Sequence, residues 1–164
     1  MNAIVCVSRN WGIGKDNSLL LHIPDDMKRF KMLTCGKIVV MGHGTLLSLP
    51  GSKPLPDRVN IVMSRDERLF VAGARTIHSV HDLMIEVSQY DSDSVFVIGG
   101  ESVYRMLLPQ CRRAYVTRVD ACPEADGFFP DLGDTPNWKI ERESEFFEYD
   151  GLEYSFVDYV NDRL

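Results

Sequence analysis

The sequence predicts an α/β fold: one domain over residues 1–164, with a central, mostly parallel twisted sheet, flanking helices and a C-terminal antiparallel hairpin. Three observations carry that prediction. Short β-branched, apolar runs recur with little polar alternation, as strands buried on both faces require. Helical segments stand between these runs, the alternation that builds parallel sheets. In the last third, two strand-like segments follow each other with no helix between them. The length is that of one domain, at roughly 150 residues per domain.

In chain order, residues 3–7 (AIVCV) form the first strand, and the residues around them lack the basic region and cleavage site of a secretion signal. Residues 24–34 form a helix opened by Pro24, whose fixed φ suits a first helical position. Strands follow at 38–41 (IVVM) and 59–63 (VNIVM), separated by a short helical stretch at 44–49 and a turn-rich loop at 50–58. A helix at 79–89 opens at Ser79, a strand occupies 94–98 (SVFVI), a helix at 101–108 is closed by Pro109, and a strand occupies 114–119 (AYVTRV). An acidic loop spans 120–136. Strands 138–147 and 153–160 then pair around Tyr149-Asp150-Gly151 at one sheet edge.

Composition narrows the function classes. With 45% hydrophobic and 26% charged residues, the chain is neither disordered nor collagen-like. Its net charge of −6 gives no basic face, so no nucleic-acid partner is expected. The apolar runs fall far short of the roughly 20 residues that span a bilayer, so no membrane partner is expected either. Cys6, Cys35, Cys111 and Cys122 include no CxxC pair and are expected to be reduced thiols, mostly in the core, consistent with a cytoplasmic protein. The four histidines form no HExxH motif, and no metal site is expected.

The helix 24–34 carries the sharpest signal. At about 100° per residue, Met27, Phe30, Leu33 and Thr34 share one face, with Asp25, Lys28, Arg29 and Met32 opposite. Asp25 complements the helix dipole in the first turn. Asp26 falls between Phe30 and Leu33, on the apolar face. A carboxylate there must find a partner or raise its pKa, and it could accept two hydrogen bonds from a flat, nitrogen-rich ligand resting on Phe30.

A second signal is Val97-Ile98-Gly99-Gly100-Glu101-Ser102-Val103-Tyr104, a buried strand running through two glycines into a helix. Such turns let a backbone approach a pyrophosphate. Met41-Gly42-His43-Gly44-Thr45 and Ser64-Arg65 also follow strands, at the edge where α/β sheets bind ligands. Gly12-Ile13-Gly14 lacks the third glycine of the dinucleotide fingerprint. Taken singly, each of these segments reads as a turn rather than a site.

Taken together, Trp11 to Asn17, Ile23 to Lys31, Val40-Met41-Gly42 with Thr45, Lys53 to Val62, Val97 to Tyr104, and Tyr115-Val116-Thr117 with Asp126 to Pro130 resemble the bacterial dihydrofolate reductases. The resemblance runs in order along essentially the whole chain. It implies NADPH-dependent reduction of 7,8-dihydrofolate to tetrahydrofolate for one-carbon metabolism, with hydride passing to pterin C6 and protonation at N5. It implies that Asp26 binds the pterin with Thr117 supporting it. Ile4, Val5, Cys6, Met27, Phe30, Leu49, Leu55 and Ile98 would line the substrate pocket, and Arg58 would pair with the glutamate carboxylate. Cofactor contacts would come from Ile13, Gly14, Gly42, His43, Gly44, Thr45, Ser64, Arg65, Gly99, Gly100, Glu101, Ser102, Val103 and Tyr104, with a cis Gly99–Gly100 bond. A monomer is expected.

The chain departs from that pattern twice. Leu20-Leu21 stands where relatives carry Pro-Trp, so no indole N–H faces the pterin. His43-Gly44 stands where an Arg meets the 2′-phosphate, a contact that Arg65 with Ser64 is expected to supply instead. Two other readings fit the residues: a different reductase on the same scaffold, such as a pyrimidine reductase, and a nucleotide-binding protein without turnover.

Overall fold

The β-branched runs assemble into parallel strands because their side chains are apolar on both faces. The computed structural model describes all 164 residues. Its elements are β1 (Asn2–Val7), β2 (Gly12–Lys15), β3 (Ser18–Leu19), α1 (Pro24–Thr34), β4 (Ile38–Gly42), α2 (His43–Ser48), β5 (Val59–Met63), β6 (Arg75–Ile77), α3 (Val80–Val87), β7 (Val95–Gly99), α4 (Glu101–Leu107), β8 (Arg113–Val119), β9 (Gly127–Phe128), β10 (Trp138–Glu143), β11 (Phe147–Tyr149) and β12 (Leu152–Asn161). In β4, Ile38 and Val40 enter the large core cluster, whereas Val39 and Met41 pack with Leu46 and Val62 on the other face. This explains why the run shows no alternation.

The main sheet runs β10-β12-β8-β1-β7-β4-β5-β6, with β11 added on β12. From β8 to β6 every neighbouring pair is parallel, while β12 and β10 are antiparallel. The chain leaves β1 toward β4, β5 and β6, then returns to insert β7 between β1 and β4 before crossing to β8. That reversal opens a crevice beyond the strand C-termini, the ligand edge of open α/β sheets. A small second sheet, β3-β2-β9, clasps residues 12–19 to the 127–128 segment.

Several boundaries differ from expectation. The strand expected at 138–147 is broken into β10 and β11, because Ser144 turns its hydroxyl onto the Phe156 N–H (2.8 Å) and a bulge interrupts the ladder between Ile140 and Arg142. Ser79 is the cap of α3, accepting the Asp82 N–H at 3.0 Å, so the helix spans 80–87 and not 79–89. Pro109 sits inside a closing 3-10 turn, Leu108–Gln110, after α4. The thiols are free but not mostly core: Cys111 is buried and Cys6 half-buried, whereas Cys35 and Cys122 are exposed in connecting segments.

Helix α1 also departs from its simple two-face reading. Arg29, placed on the solvent side by angle, is largely buried against β12, where it pairs with Asp158 at 2.7 Å. Asp25, one turn earlier, accepts from the buried Tyr154 hydroxyl at 2.8 Å. These residues form a polar seam along one edge of the apolar stripe. Met27, on the apolar face with Phe30, is 39% exposed because that side of the helix faces the cleft.

Candidate active site

One cleft of about 1480 Å³ follows the C-terminal edge of the parallel strands. Strand order therefore fixes the order of its lining. Ile4, Val5 and Cys6 come from β1, Ile98 and Gly99 from β7, and Gly42 from β4, with His43 and Thr45 just beyond it. Ser64 and Arg65 follow β5, and His78 and Ser79 follow β6. Asp26, Met27 and Phe30 of α1 and Leu49 after α2 complete the apolar end.

Asp26 is held rather than free. The Thr117 hydroxyl, on buried β8, donates to its Oδ1 at 2.6 Å. Burial raises the carboxyl pKa above its ordinary value, opposed by the Thr117 hydrogen bond and by the charges of Arg29 and His22. The neighbouring groups do not compete for its proton: burial pushes the Cys6 thiol and the Tyr104 phenol well above their usual ranges. Tyr104 instead donates to the Ile4 carbonyl at 2.7 Å, fixing α4 against β1.

The middle of the cleft is backbone. Gly99–Gly100 is cis, with Gly99 at φ +133°, and a Cβ on Gly99 would lie 3.2 Å from Thr45 Oγ1. A Cβ on Gly42 would come within 3.1 Å of Val103 Cγ2. These glycines leave room for a ligand to meet main-chain atoms directly. Over them lies the 12–19 segment, bringing Ile13 and Gly14 to the cleft. Asp126 anchors it, donating its N–H to the Gly14 carbonyl (3.0 Å) and accepting from the Asp16 N–H (3.0 Å), while Glu101 accepts from the Phe128 N–H (2.8 Å).

Of the residues expected at the site, Leu55, Arg58 and Thr117 are not part of the lining. Thr117 stands behind Asp26. Leu55 packs with Leu49 and Ile98 around the Val39–Val62 cluster, pinned by backbone bonds to the Asn60 amide. Arg58 lies with its guanidinium 5.8 Å from the Phe30 ring centre, and its buried Nε has no partner. All the other expected residues line the cleft, including Gly44, Gly100, Ser102 and Val103.

Sequence reasoning missed His22, His78, Ser79 and the Arg29–Asp158 pair. His78 and Ser79 follow β6, a three-residue strand too short to leave a pattern. The clue for Arg29 was its spacing of four from Asp25, which places both on one side of α1.

The fold and cleft define an open α/β protein with room for two ligands end to end: a carboxylate among apolar side chains at one end, and basic and hydroxyl groups beyond a glycine-lined middle. This volume exceeds the roughly 300–1,000 Å³ of a single small-molecule pocket. Comparison with known proteins gives the family. The family model described as dihydrofolate reductase matches residues 1–161. A dihydrofolate reductase of Neisseria gonorrhoeae is 36% identical over 158 residues, covering 96% of this chain and 95% of its own. One of Mycobacterium leprae is 38% identical over 152 residues, covering 90% and 89%. The solved dihydrofolate reductase of Enterococcus faecalis, complexed with NADP(H) and RAB-propyl, superposes with a TM-score of 0.88 at 29% identity, covering 98% of this chain and 95% of its own. This chain belongs to the dihydrofolate reductase family.

Proposed function

We propose that this protein reduces 7,8-dihydrofolate to 5,6,7,8-tetrahydrofolate with NADPH, hydride passing to pterin C6 and a proton to N5. The observation that carries the reading is the Thr117-braced Asp26 carboxylate in the same continuous cleft as the Gly99–Gly100 turn. Family membership over residues 1–161 supports it.

The residues present fit the cofactor. Gly42, Gly99 and Gly100 leave free the volume that Cβ atoms would fill, and Ser64, Arg65 and His43 supply hydroxyl, guanidinium and imidazole donors for phosphate. Ile13, Gly14, Thr45, Ser102 and Tyr104 complete that wall. When bound, NADPH supplies the hydride.

The chain supplies placement and proton control. Thr117 uses one acceptor site on Oδ1 of Asp26, and the remaining sites on Oδ1 and Oδ2 can accept from a pterin ring N–H and its amino group. Burial lets this carboxyl hold a proton closer to neutral pH than an exposed aspartate does. Phe30, Met27, Ile4, Val5, Leu49 and Ile98 exclude water from the ring and its substituent. Arg58, beyond that wall with an unpartnered Nε, is the cation for the substrate's distal carboxylate.

The cleft is complete within one chain, which supports a monomer. Four free thiols support a cytoplasmic site of action, and no helix is long and apolar enough to cross a membrane. The test is NADPH absorbance followed with and without dihydrofolate, beside NADH. Dihydrofolate-dependent oxidation favouring NADPH is expected. A folded protein that binds NADPH yet oxidises none with dihydrofolate present overturns the assignment.

A further inference from the structure

Helix α1 lies on the face of β8 and β12, and three polar ties pin it there. The β8–β12 ladder places Val119 opposite Tyr154, Thr117 opposite Phe156, and Tyr115 opposite Asp158. Each rung meets one residue of α1. Tyr154 donates to Asp25, Thr117 donates to Asp26, and Arg29 donates to Asp158 at 2.7 Å. The Arg29 and Asp158 side chains are only 18% and 15% exposed. The guanidinium also lies 4.6 Å from the centre of the Phe156 ring and 5.7 Å from that of Tyr115.

Asp26 and Arg29 are three residues apart, which makes them neighbours on the helix surface. A permanently charged guanidinium thus sits beside the site carboxylate, fixed in place by an acid on another element. We propose that Arg29, locked by Asp158, is a positioning residue whose fixed charge acts on the Asp26 carboxylate from one turn along the same helix.

Burial disfavours the ionised form of Asp26, and the Arg29 charge opposes that effect. Asp158 pairs with the guanidinium, so the charge that acts on Asp26 is a partly balanced one. The other groups facing Asp26 are few. His22 precedes α1, and Asp25 adjoins it with its Tyr154 donor. Cys6 on β1 and Tyr104 on α4 are kept neutral by burial. Tyr115 on β8 flanks the guanidinium rather than the carboxylate.

The functional meaning rests on Asp26 being the pterin-binding carboxylate, but the test does not. The Asp26 carboxyl is titrated by carbon-13 NMR in the ligand-free, folded protein, with Asp26→Asn assigning its signal. Arg29→Met removes the charge and raises the midpoint by about one pH unit, the scale of one partly cancelled neighbouring charge. Asp158→Asn frees the charge and lowers the midpoint. Arg29→Lys keeps the charge and restores a midpoint close to that of the wild type. A merely structural role gives another pattern: loosened packing admits water, relieves burial and lowers the midpoint in Arg29→Met as well. A fall or no change in Arg29→Met overturns the proposal. If Arg29→Met does not fold, Arg29→Gln replaces it with the same expected rise and the same refuting result. The pH profile of kcat, read afterwards, shifts in the same directions if the reductase reading also holds.

Discussion

Asp26→Asn separates catalysis from stability, because the structure predicts opposite effects on the two. The carboxylate has one oxygen on the Thr117 hydroxyl at 2.6 Å and presents the other to the cleft. An asparagine has a single oxygen. If that oxygen stays on Thr117, the NH₂ group faces the pterin's own N–H donors. If it turns to the pterin, the Thr117 hydroxyl loses its acceptor. Two hydrogen bonds to a charged group, at about 1.5–3 kcal/mol each, are lost or weakened. That corresponds to a fall of roughly 10²–10⁴-fold in kcat/KM for dihydrofolate.

Stability moves the other way. The folded carboxyl pKa lies above its unfolded value of 3.8, so the stability Asp26 contributes is whole below that value and is lost as pH rises through the folded pKa. Above the folded pKa the ionised, buried carboxylate therefore costs stability, and the neutral amide removes that cost. Asp26→Asn should melt at or above the wild-type temperature at pH 7, and this advantage should vanish in acid. The assays are NADPH oxidation with dihydrofolate, and thermal melts across pH. Turnover within about tenfold of wild type at neutral pH would refute the reasoning.

Three further substitutions test the surrounding parts. Thr117→Val keeps the shape but removes the donor, and should raise the Asp26 pKa while lowering kcat/KM by about tenfold; an unchanged pH profile counts against the Thr117 brace. Gly99→Ala must place a Cβ at φ +133° and 3.2 Å from Thr45 Oγ1, a strain of about 1–3 kcal/mol. It should lower Tm by about 2–4 °C per kcal/mol and weaken NADPH binding measured by fluorescence titration. Arg65→Ala should raise KM for NADPH by about 10- to 100-fold, leave NADH kinetics unchanged and so narrow the cofactor preference. An equal loss with both cofactors would move phosphate recognition elsewhere.

The parallel core was legible because burial on both faces leaves nearly continuous apolar runs, such as Ile38–Met41 and, with Asn60 the one polar residue, Val59–Met63. The short strands β2, β3, β6 and β9 have two to four residues each, too few for periodicity, and β9 pairs with β2 from a distant part of the chain. Asp26 stood out by angle because an acid on an apolar stripe conflicts with its surroundings. Arg29 did not, because a charged residue beside that stripe looks solvated until β12 supplies Asp158 from 129 positions away. Thr117 stands where the resemblance implied, bonded to Asp26, whereas the fold sets Leu55 and Arg58 outside the cleft lining.

The most direct measurement uses NADPH carrying deuterium at the transferable nicotinamide position, with dihydrofolate and the wild-type protein, and locates the label by mass spectrometry and NMR. A single continuous cleft holding both ligands predicts one deuterium at C6 of tetrahydrofolate and none released to water. Label lost to solvent, or oxidised cofactor without labelled tetrahydrofolate, would contradict direct transfer between ligands bound side by side.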